Sequence, residues 1–252
     1  MKVTAHIGLV RILKTEGVEW VSTFPASGLN NPLGEEGILN LMMRTERFAI
    51  AVADGFSRVS NGKRFGVCTV QGGLNPVGLH MAYGALAQAY EDGTPLLCIT
   101  DSIQTSISGT ERFNIAEAFR SVTKWTGYIN KPHRVPEFMT RAYSYLRSGR
   151  PGPILIQVPS DLGEYDESEC PYKPPKGWKQ QGDLRDVKLA VNALLAAKKP
   201  MIIAGQGIFY GDACDKLLEF AELVQAPVLT TLKGKSTFPE DHALSVGVIG
   251  VA

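Results

Sequence analysis

Six short runs of nearly unbroken apolar character, set between stretches with a helical period, constrain this chain more than any other feature. They are VEWVSTF (18–24), ILNLMMR (38–44), FGVCTVQ (65–71), PLLCITD (95–101), the weaker TKWTGYI (123–129) and PILIQVP (153–159). A strand with one wet face alternates apolar and polar residues. A strand apolar throughout needs cover on both faces, which a parallel sheet with helices on either side provides. The intervening stretches carry the 3.6 period. Ile7, Val10 and Leu13 mark one face of a first helix, with Thr4 as N-cap and Gly17 just past its end. Phe48, Val52, Phe56 and Val59 mark a second, and residues 134–149 a third, ending at Gly149 before Pro151. The alternation predicts an α/β fold, a doubly wound parallel sheet, over residues 1–165.

Residues 164–183 change character. Pro171, Pro174 and Pro175 interrupt a stretch with no periodic apolar face, so 166–183 reads as a stiff, exposed linker. A second, truncated α/β unit follows at 184–252, with helix 184–197, strand 201–207, helix 211–224 and strand 227–232. Two strands and two helices are too few to cover a sheet, and the chain runs out in the apolar VGVIGVA. Either the sequence continues or a partner chain covers that surface.

Charge and cysteine usage narrow the function. There are 26 Lys and Arg against 25 Asp and Glu, a net charge of +1. That balance excludes a strongly basic nucleic-acid binder and an acidic tail. No apolar run approaches the ~18 residues that would span a bilayer. The opening MKVTAHIGLVRILKTEG reads as an amphipathic helix rather than a signal peptide, because Arg11 and Lys14 interrupt its apolar stretch. Cys68, Cys98, Cys170 and Cys214 are far apart, and two lie in strand-like runs. Buried free thiols point to a reducing, cytoplasmic setting.

Ligands of open α/β sheets gather at the carboxyl ends of the strands. Four such ends draw notice: 24–32, 44–63, 71–78 and 101–113. Glu46 is the sharpest residue. It follows an apolar run directly, opens a helix, and has Ala49, Ile50 and Ala53 on its own face. A carboxylate held in a dry cleft there gains proton affinity and can exchange protons near neutral pH. The plain alternative is an acidic residue stabilising the helix start through the dipole. Gly72-Gly73 lets backbone approach a flat ligand, with Gln71 and Asn75 as hydrogen-bonding groups, or forms a tight turn. Lys124, beside Trp125, and Arg112, beside Phe113, are cations for a carboxylate substrate, or solvated charges beside packed rings. GQGIFYG (205–211) resembles a dinucleotide turn, but its third Gly comes one residue late and no acid ends the next strand. His6, His80, His133 and His242 show no metal-ligand spacing, so no metal site is expected.

The segment RTERFAIAVADGFSRVSNGKRFGVCTVQGG resembles the aminopyrimidine-binding region of thiamine diphosphate-dependent enzymes of the acetolactate synthase, pyruvate oxidase and benzoylformate decarboxylase group. There a Glu precedes an Ala-rich helix ending in a G-Y-A-R-like sequence. Here Glu46 precedes Ala49, Ala51 and Ala53, then Asp54-Gly55-Phe56-Ser57-Arg58. GVEWVSTFPASG is similar to the family's first strand and Pro-Gly loop, with Pro25 for the Pro and Ala26 for the Gly. The likeness continues through GRPGPILIQVPSDL into KKPMIIAGQG and the end of the sequence, the start of a middle domain.

The resemblance implies a role for each of these residues. Glu46 would relay the proton that activates the cofactor for attack on a 2-oxo acid, giving decarboxylation with carboligation. Pro25, Ala26, Gly72, Gly73 and Asn75 would line the cofactor, and Phe113, Asn114 and Lys124 the substrate. The family's Gly-Pro-Gly turn is replaced here by Gly72-Gly73-Leu74-Asn75. Asp101-Ser102 stand where many members have Gly-Gln, and Phe113-Asn114 where acetolactate synthases have Phe-Gln. The family binds diphosphate and Mg2+ through a G-D-G...N motif of a third domain, which this sequence lacks. The expectation is therefore half a site, inactive by itself, in a homo-oligomer or beside a subunit carrying the third domain. FAD, used by some members, would fall near GQGIFYG, with nothing further in the sequence to support it. Two other readings are a non-catalytic, complementing subunit of a two-chain complex and a dinucleotide-binding oxidoreductase.

Overall fold

The computed structural model describes residues 1–25, 27–73, 76–107 and 113–250. It divides into two compact units, Met1–Ser60 with Arg64–Lys179, and Gln180–Ala252 with Asn61–Lys63.

In chain order the first unit comprises β1 (Lys2–Thr4), α1 (Ala5–Thr15), β2 (Trp20–Thr23), α2 (Asn30–Glu35), β3 (Leu39–Met42), α3 (Glu46–Val59), β4 (Gly66–Val70), α4 (Val77–Glu91), β5 (Leu96–Ser102), α5 (Ile115–Phe119), β6 (Trp125–Tyr128), α6 (Val135–Arg147), β7 (Ile154–Pro159) and β8 (Glu164–Asp166). Among the described residues a six-stranded sheet runs β3-β2-β4-β5-β7-β6, every neighbouring pair parallel. The α/β doubly wound expectation therefore holds, and each of the six apolar runs is a strand.

Alternate residues of the central strands explain the unbroken apolar runs. Val67, Leu97, Ile99, Ile154 and Ile156 enter one core with α1 and α6. Cys68, Val70, Leu96, Cys98 and Leu155 enter a second core with α3, α4 and α5. Both faces are dry, so neither tolerates a polar alternation.

The opening segment is not wholly helical. Lys2–Thr4 pairs antiparallel with Glu164–Asp166, and the helix begins at Ala5, capped as expected by Thr4, whose Oγ1 accepts from the Ile7 amide at 3.2 Å. Two glycines show the cost of close packing. A Cβ at Gly8 would overlap the Tyr165 ring, and one at Gly66 would overlap the Ala53 carbonyl.

The second contact corrects the expected face of α3. Its buried stripe is Glu46, Ala49, Ile50, Ala53 and Ser57, not the four large apolar residues. Phe48 is 57% exposed and Val59 88%; Phe56 packs edge-on to Trp20 at 4.9 Å. The helix backbone lies directly on the sheet, with Ser22 Oγ donating to the Ala49 carbonyl at 2.5 Å and the Gly66 amide donating to Ser57 Oγ at 2.8 Å. Only small side chains fit that gap, so size outranks hydrophobicity in choosing the inward face.

Residues 166–179, read from sequence as linker, belong to this unit. They turn at 167–170 and are then irregular and largely exposed, but Tyr172 turns in and donates its hydroxyl to Glu16. The Glu16 side chain is 1% exposed and also meets the Arg147 guanidinium, which donates to the Pro175 carbonyl at 2.9 Å.

The second unit comprises α7 (Leu184–Ala196), β9 (Ile202–Ala204), α8 (Gly207–Gly211), α9 (Cys214–Val224), β10 (Val228–Thr231) and β11 (Ser245–Ile249). Its parallel sheet has the order β11-β10-β9. The expected helix 211–224 is broken at Asp212, whose φ of 54° is left-handed. The terminal apolar run supplies a third strand that the sequence reading did not assign. Its small core is Ala204, Leu217, Ala221, Val228 and Phe238.

Replacing Glu16 with Ala leaves the Arg147 cation and the Tyr172 hydroxyl without their partner. We expect a loss of about 2–4 kcal/mol in chemical denaturation, against about 1 kcal/mol for Tyr172→Phe.

Candidate functional site

The strand order reverses at β2, which has β3 on one side and β4 on the other. A crevice opens at such a switch point, at the carboxyl ends of the two strands. Three segments surround it here: the loop after β2, the loop after β4, and the start of α3.

The loop after β2 is fixed by a buried polar relay. Thr69 Oγ1 donates to Thr23 Oγ1 at 2.7 Å, and Thr23 Oγ1 donates to Asn30 Oδ1 at 2.5 Å. Asn30 Nδ2 then donates to the carbonyls of Phe24 (3.1 Å) and Pro25 (2.8 Å). Pro25 is therefore held at the rim with its carbonyl occupied. Ala26 lies outside the described residues.

The loop after β4 lies hard against the end of β5. A Cβ at Gly72 would overlap the Asp101 carbonyl and the Thr100 hydroxyl. Gly73 has a φ of +82° and donates its amide to the Asp101 carbonyl at 3.1 Å. Close approach requires the first glycine and the left-handed backbone favours the second. Both thus shape the turn and bring main chain to the crevice. Leu74 and Asn75 lie outside the described residues.

Glu46 is the first residue of α3, behind the N-cap Thr45, whose Oγ1 accepts from the Phe48 amide at 3.3 Å. Its carboxyl turns inward and is 6% exposed. It occupies the space left by Gly78 in the first turn of α4, where a Cβ would overlap Oε1 and come within 2.8 Å of the Gln71 Cβ. Among the described residues its carboxyl makes no hydrogen bond or ion pair. A helix-start role alone would leave the group in water; here it is withdrawn to the switch point.

A second carboxyl at the same edge was not among the expected site residues. Asp101 Oδ1 accepts from the Gly28 amide at 3.0 Å. Burial pushes its carboxyl up to about 6, against the opposing pull of that amide. Its sequence signal was an acid ending an apolar strand. Below it, Asp161 holds the segment after β5, accepting from the Thr105 amide (2.7 Å) and hydroxyl (2.9 Å). Those bonds, the backbone one foremost, keep its carboxyl below the usual range.

The expected substrate residues scatter. Phe113 packs edge-on to His80 of α4, with ring centroids 4.2 Å apart. Asn114 caps α5, its Oδ1 accepting from the Glu117 amide at 3.1 Å. Lys124 precedes β6 and so sits at the amino edge of a parallel sheet, the end opposite the crevice. Its ammonium donates to the Tyr145 and Ser148 carbonyls at the end of α6, and burial lowers its pKa. Lys124 is thus a helix-terminating contact, not part of the crevice. Arg112 lies outside the described residues. In the second unit GQGIFYG follows the end of β9, and its last five residues form the single-turn α8. Among the described residues no three His, Cys, Asp or Glu side chains are grouped to hold a metal ion, and no helix is long and apolar enough to cross a membrane.

Two family models match. Residues 3–130 match the N-terminal TPP binding domain of thiamine pyrophosphate enzymes, and 187–252 match their central domain. The chain belongs to the thiamine pyrophosphate enzymes. It is 33% identical over 96% of its length to a protein of Methanocaldococcus jannaschii named "Probable acetolactate synthase large subunit". It is 32% identical over 99% of its length to the acetolactate synthase of Arthrospira platensis, and 31% over 99% to the glyoxylate carboligase of Escherichia coli O157:H7. It spans 42–45% of the length of these relatives. A thiamin diphosphate-dependent enzyme structure from Mycobacterium smegmatis superposes over 99% of the chain and 49% of its own, with a TM-score of 0.83 at 24% identity. That likeness speaks for the fold.

Two outcomes follow for this thiamine pyrophosphate enzyme. Gly78→Ala forces the Glu46 carboxyl from its niche and costs about 1–3 kcal/mol in thermal unfolding. Asp101 has a folded pKa of about 6 against an ordinary 3.8. Its raised value favours the folded state below about pH 4, and that contribution is lost as pH rises through 6. Asp101→Asn keeps the acceptor without the charge. The variant therefore melts higher than the parent at pH 8, by about 1–2 kcal/mol, with the difference closing at pH 4.

Proposed function

We propose that residues 1–165 form the aminopyrimidine half-site of a thiamine diphosphate enzyme that acts on a 2-oxo acid by decarboxylation with carboligation, as an acetolactate synthase does. The observation that carries this reading is the Glu46 carboxyl: buried, unpartnered among the described residues, and seated beside the loop after β4 against Gly78. A flat ring with a hydrogen-bonding nitrogen fits such a group. Gly78 leaves room for the carboxyl, and Gly72-Gly73 brings bare main chain to the same place. Pro25 closes the rim.

When bound, thiamine diphosphate supplies the nucleophilic carbon and the electron sink for cleaving the bond beside a carbonyl. The chain supplies the rest. Glu46 would meet a ring nitrogen of that group and move a proton at its carboxyl oxygen. Its burial would keep competing water from that place. The Thr69–Thr23–Asn30 relay keeps the facing loop in place.

Residues 184–252 would be the beginning of a middle domain, joined by 166–183, and the diphosphate with its Mg2+ would be held by a domain that these residues do not include. An assembly of copies is supported by the outward apolar face of α3 and α4, where Phe48, Val77 and Met81 are each more than half exposed. The buried thiols of Cys68 and Cys98 suit the cytoplasm. The short α8 within GQGIFYG gives FAD no further support.

Glu46→Gln keeps shape and removes the proton exchange. In the protein that carries this chain with its diphosphate-binding domain, we expect turnover to fall at least about 100-fold with folding intact. Unchanged turnover would exclude the role. The 252-residue chain titrated calorimetrically with thiamine diphosphate and Mg2+ should show no saturation in the micromolar range, and saturation there would refute the half-site.

A further inference from the structure

Asp101 has no part in the proton exchange assigned to Glu46, yet both loops of the crevice hang on it. Its carbonyl accepts the Gly73 amide at 3.1 Å, and its carboxyl accepts the Gly28 amide at 3.0 Å across 73 residues of sequence. The loop after β4 is thus held through main chain, which any residue at 101 would provide. The loop after β2 is held through the side chain, which few would. The fit is close: a Cβ at Gly28 would stand 3.0 Å from Oδ1.

Among the described residues no cation offsets the charge. Segments 24–29, 71–73 and 100–107 carry no other charged or titratable side chain. Among the described residues the groups acting on Asp101 are the apolar surroundings and the Gly28 amide alone. A fold that required only an acceptor here would be served by Asn, without burying a charge. An ionised oxygen, however, makes the stronger bond to an amide.

Resting on the aminopyrimidine reading above, we propose that Asp101 is a positioning residue: its carboxyl latches the Gly28 end of the loop after β2, which the Asn30 bonds at Phe24 and Pro25 do not reach, to the end of β5 and so completes the hold on that wall of the cofactor crevice. The latch is tightest when Asp101 is ionised and loosens as it takes up a proton.

The test has two arms. In the full-length, cofactor-dependent protein, Asp101→Ala should raise the KM for thiamine diphosphate about threefold to tenfold, proportionally more than it lowers kcat. Asp101→Asn, which keeps the acceptor oxygen, should restore most of that affinity and abolish the weakening of cofactor binding between pH 7 and pH 5. An Ala variant with the parent KM throughout, or an Asn variant no better than Ala, overturns the proposal. The second arm needs no activity. In the 15N-labelled 252-residue chain, the Gly28 amide should titrate with a midpoint near pH 6 and stay flat in Asp101→Asn. A flat Gly28 amide in the parent overturns the latch. If Gly28 titrates while Glu46→Gln leaves turnover unchanged, the latch stands and the cofactor reading falls.

Discussion

The contact of α3 with the sheet, backbone against backbone, governs the rest of the first unit. Gly66 lies under the Ala53 carbonyl so closely that no side chain could intervene, and Ser22 and Ser57 stitch helix to strand with hydrogen bonds. An ordinary helix–sheet spacing would leave the first residue of α3 at the surface. This closer seat rolls the stripe 46, 49, 50, 53, 57 inward and takes the Glu46 carboxyl with it. The glycines at 66, 72 and 78 repeat one device along the path from strand to next helix. Each removes a side chain where a neighbour must come close: the Ala53 carbonyl, the Asp101 carbonyl and the Glu46 carboxyl in turn.

Two carboxyls share this edge, and their surroundings differ. Glu46 is almost wholly enclosed and, among the described residues, without a partner. Asp101 accepts one amide, that of Gly28, from a loop that the Asn30 side chain already ties at Phe24 and Pro25. Neither is paired with Lys or Arg among the described residues, although the same unit neutralises acids elsewhere. Arg58 bridges Asp54 and Asp92, and Arg147 meets Glu16. The cations are spent on holding helices and the 166–179 segment, away from the crevice. Left unpaired, Asp101 keeps its capacity to take up a proton, which a salt bridge would suppress.

Much of this was legible in the sequence. The six strands stood out because each feeds two cores, and a two-sided requirement leaves an unbroken apolar trace. Thr4, Gly17 and Gly149 stood out because helix ends impose local backbone chemistry. The burial of Glu46 was legible from its place between a strand and a small-residue helix face. The inward face of α3 was misread because hydrophobicity was weighed above size, and Phe48 and Val59 are the large residues that the close seat expels. Lys124 was misread because its neighbour Trp125 suggested a binding surface. Nothing local reveals that the next strand leaves the opposite end of the sheet. Tyr172 was hidden among prolines, since a single inward residue has no period. β11 was hidden because its pairing with β10 depends on residues far apart in sequence.

The burial of Asp101 shows where stability and site geometry diverge. The first unit already fastens its loops with neutral groups where it can, as in the Thr69–Thr23–Asn30 relay, which involves no ionisable side chain. At 101 it uses an acid that meets no counter-charge among the described residues, raised to about 6 by its own surroundings. A local rule broken without structural compensation is the pattern expected of a functional position. It lies beside the loop after β2, and among the described residues no other charge acts on it. In that setting a carboxyl can change the strength of one hydrogen bond with a single proton, and that bond joins the two walls of the crevice.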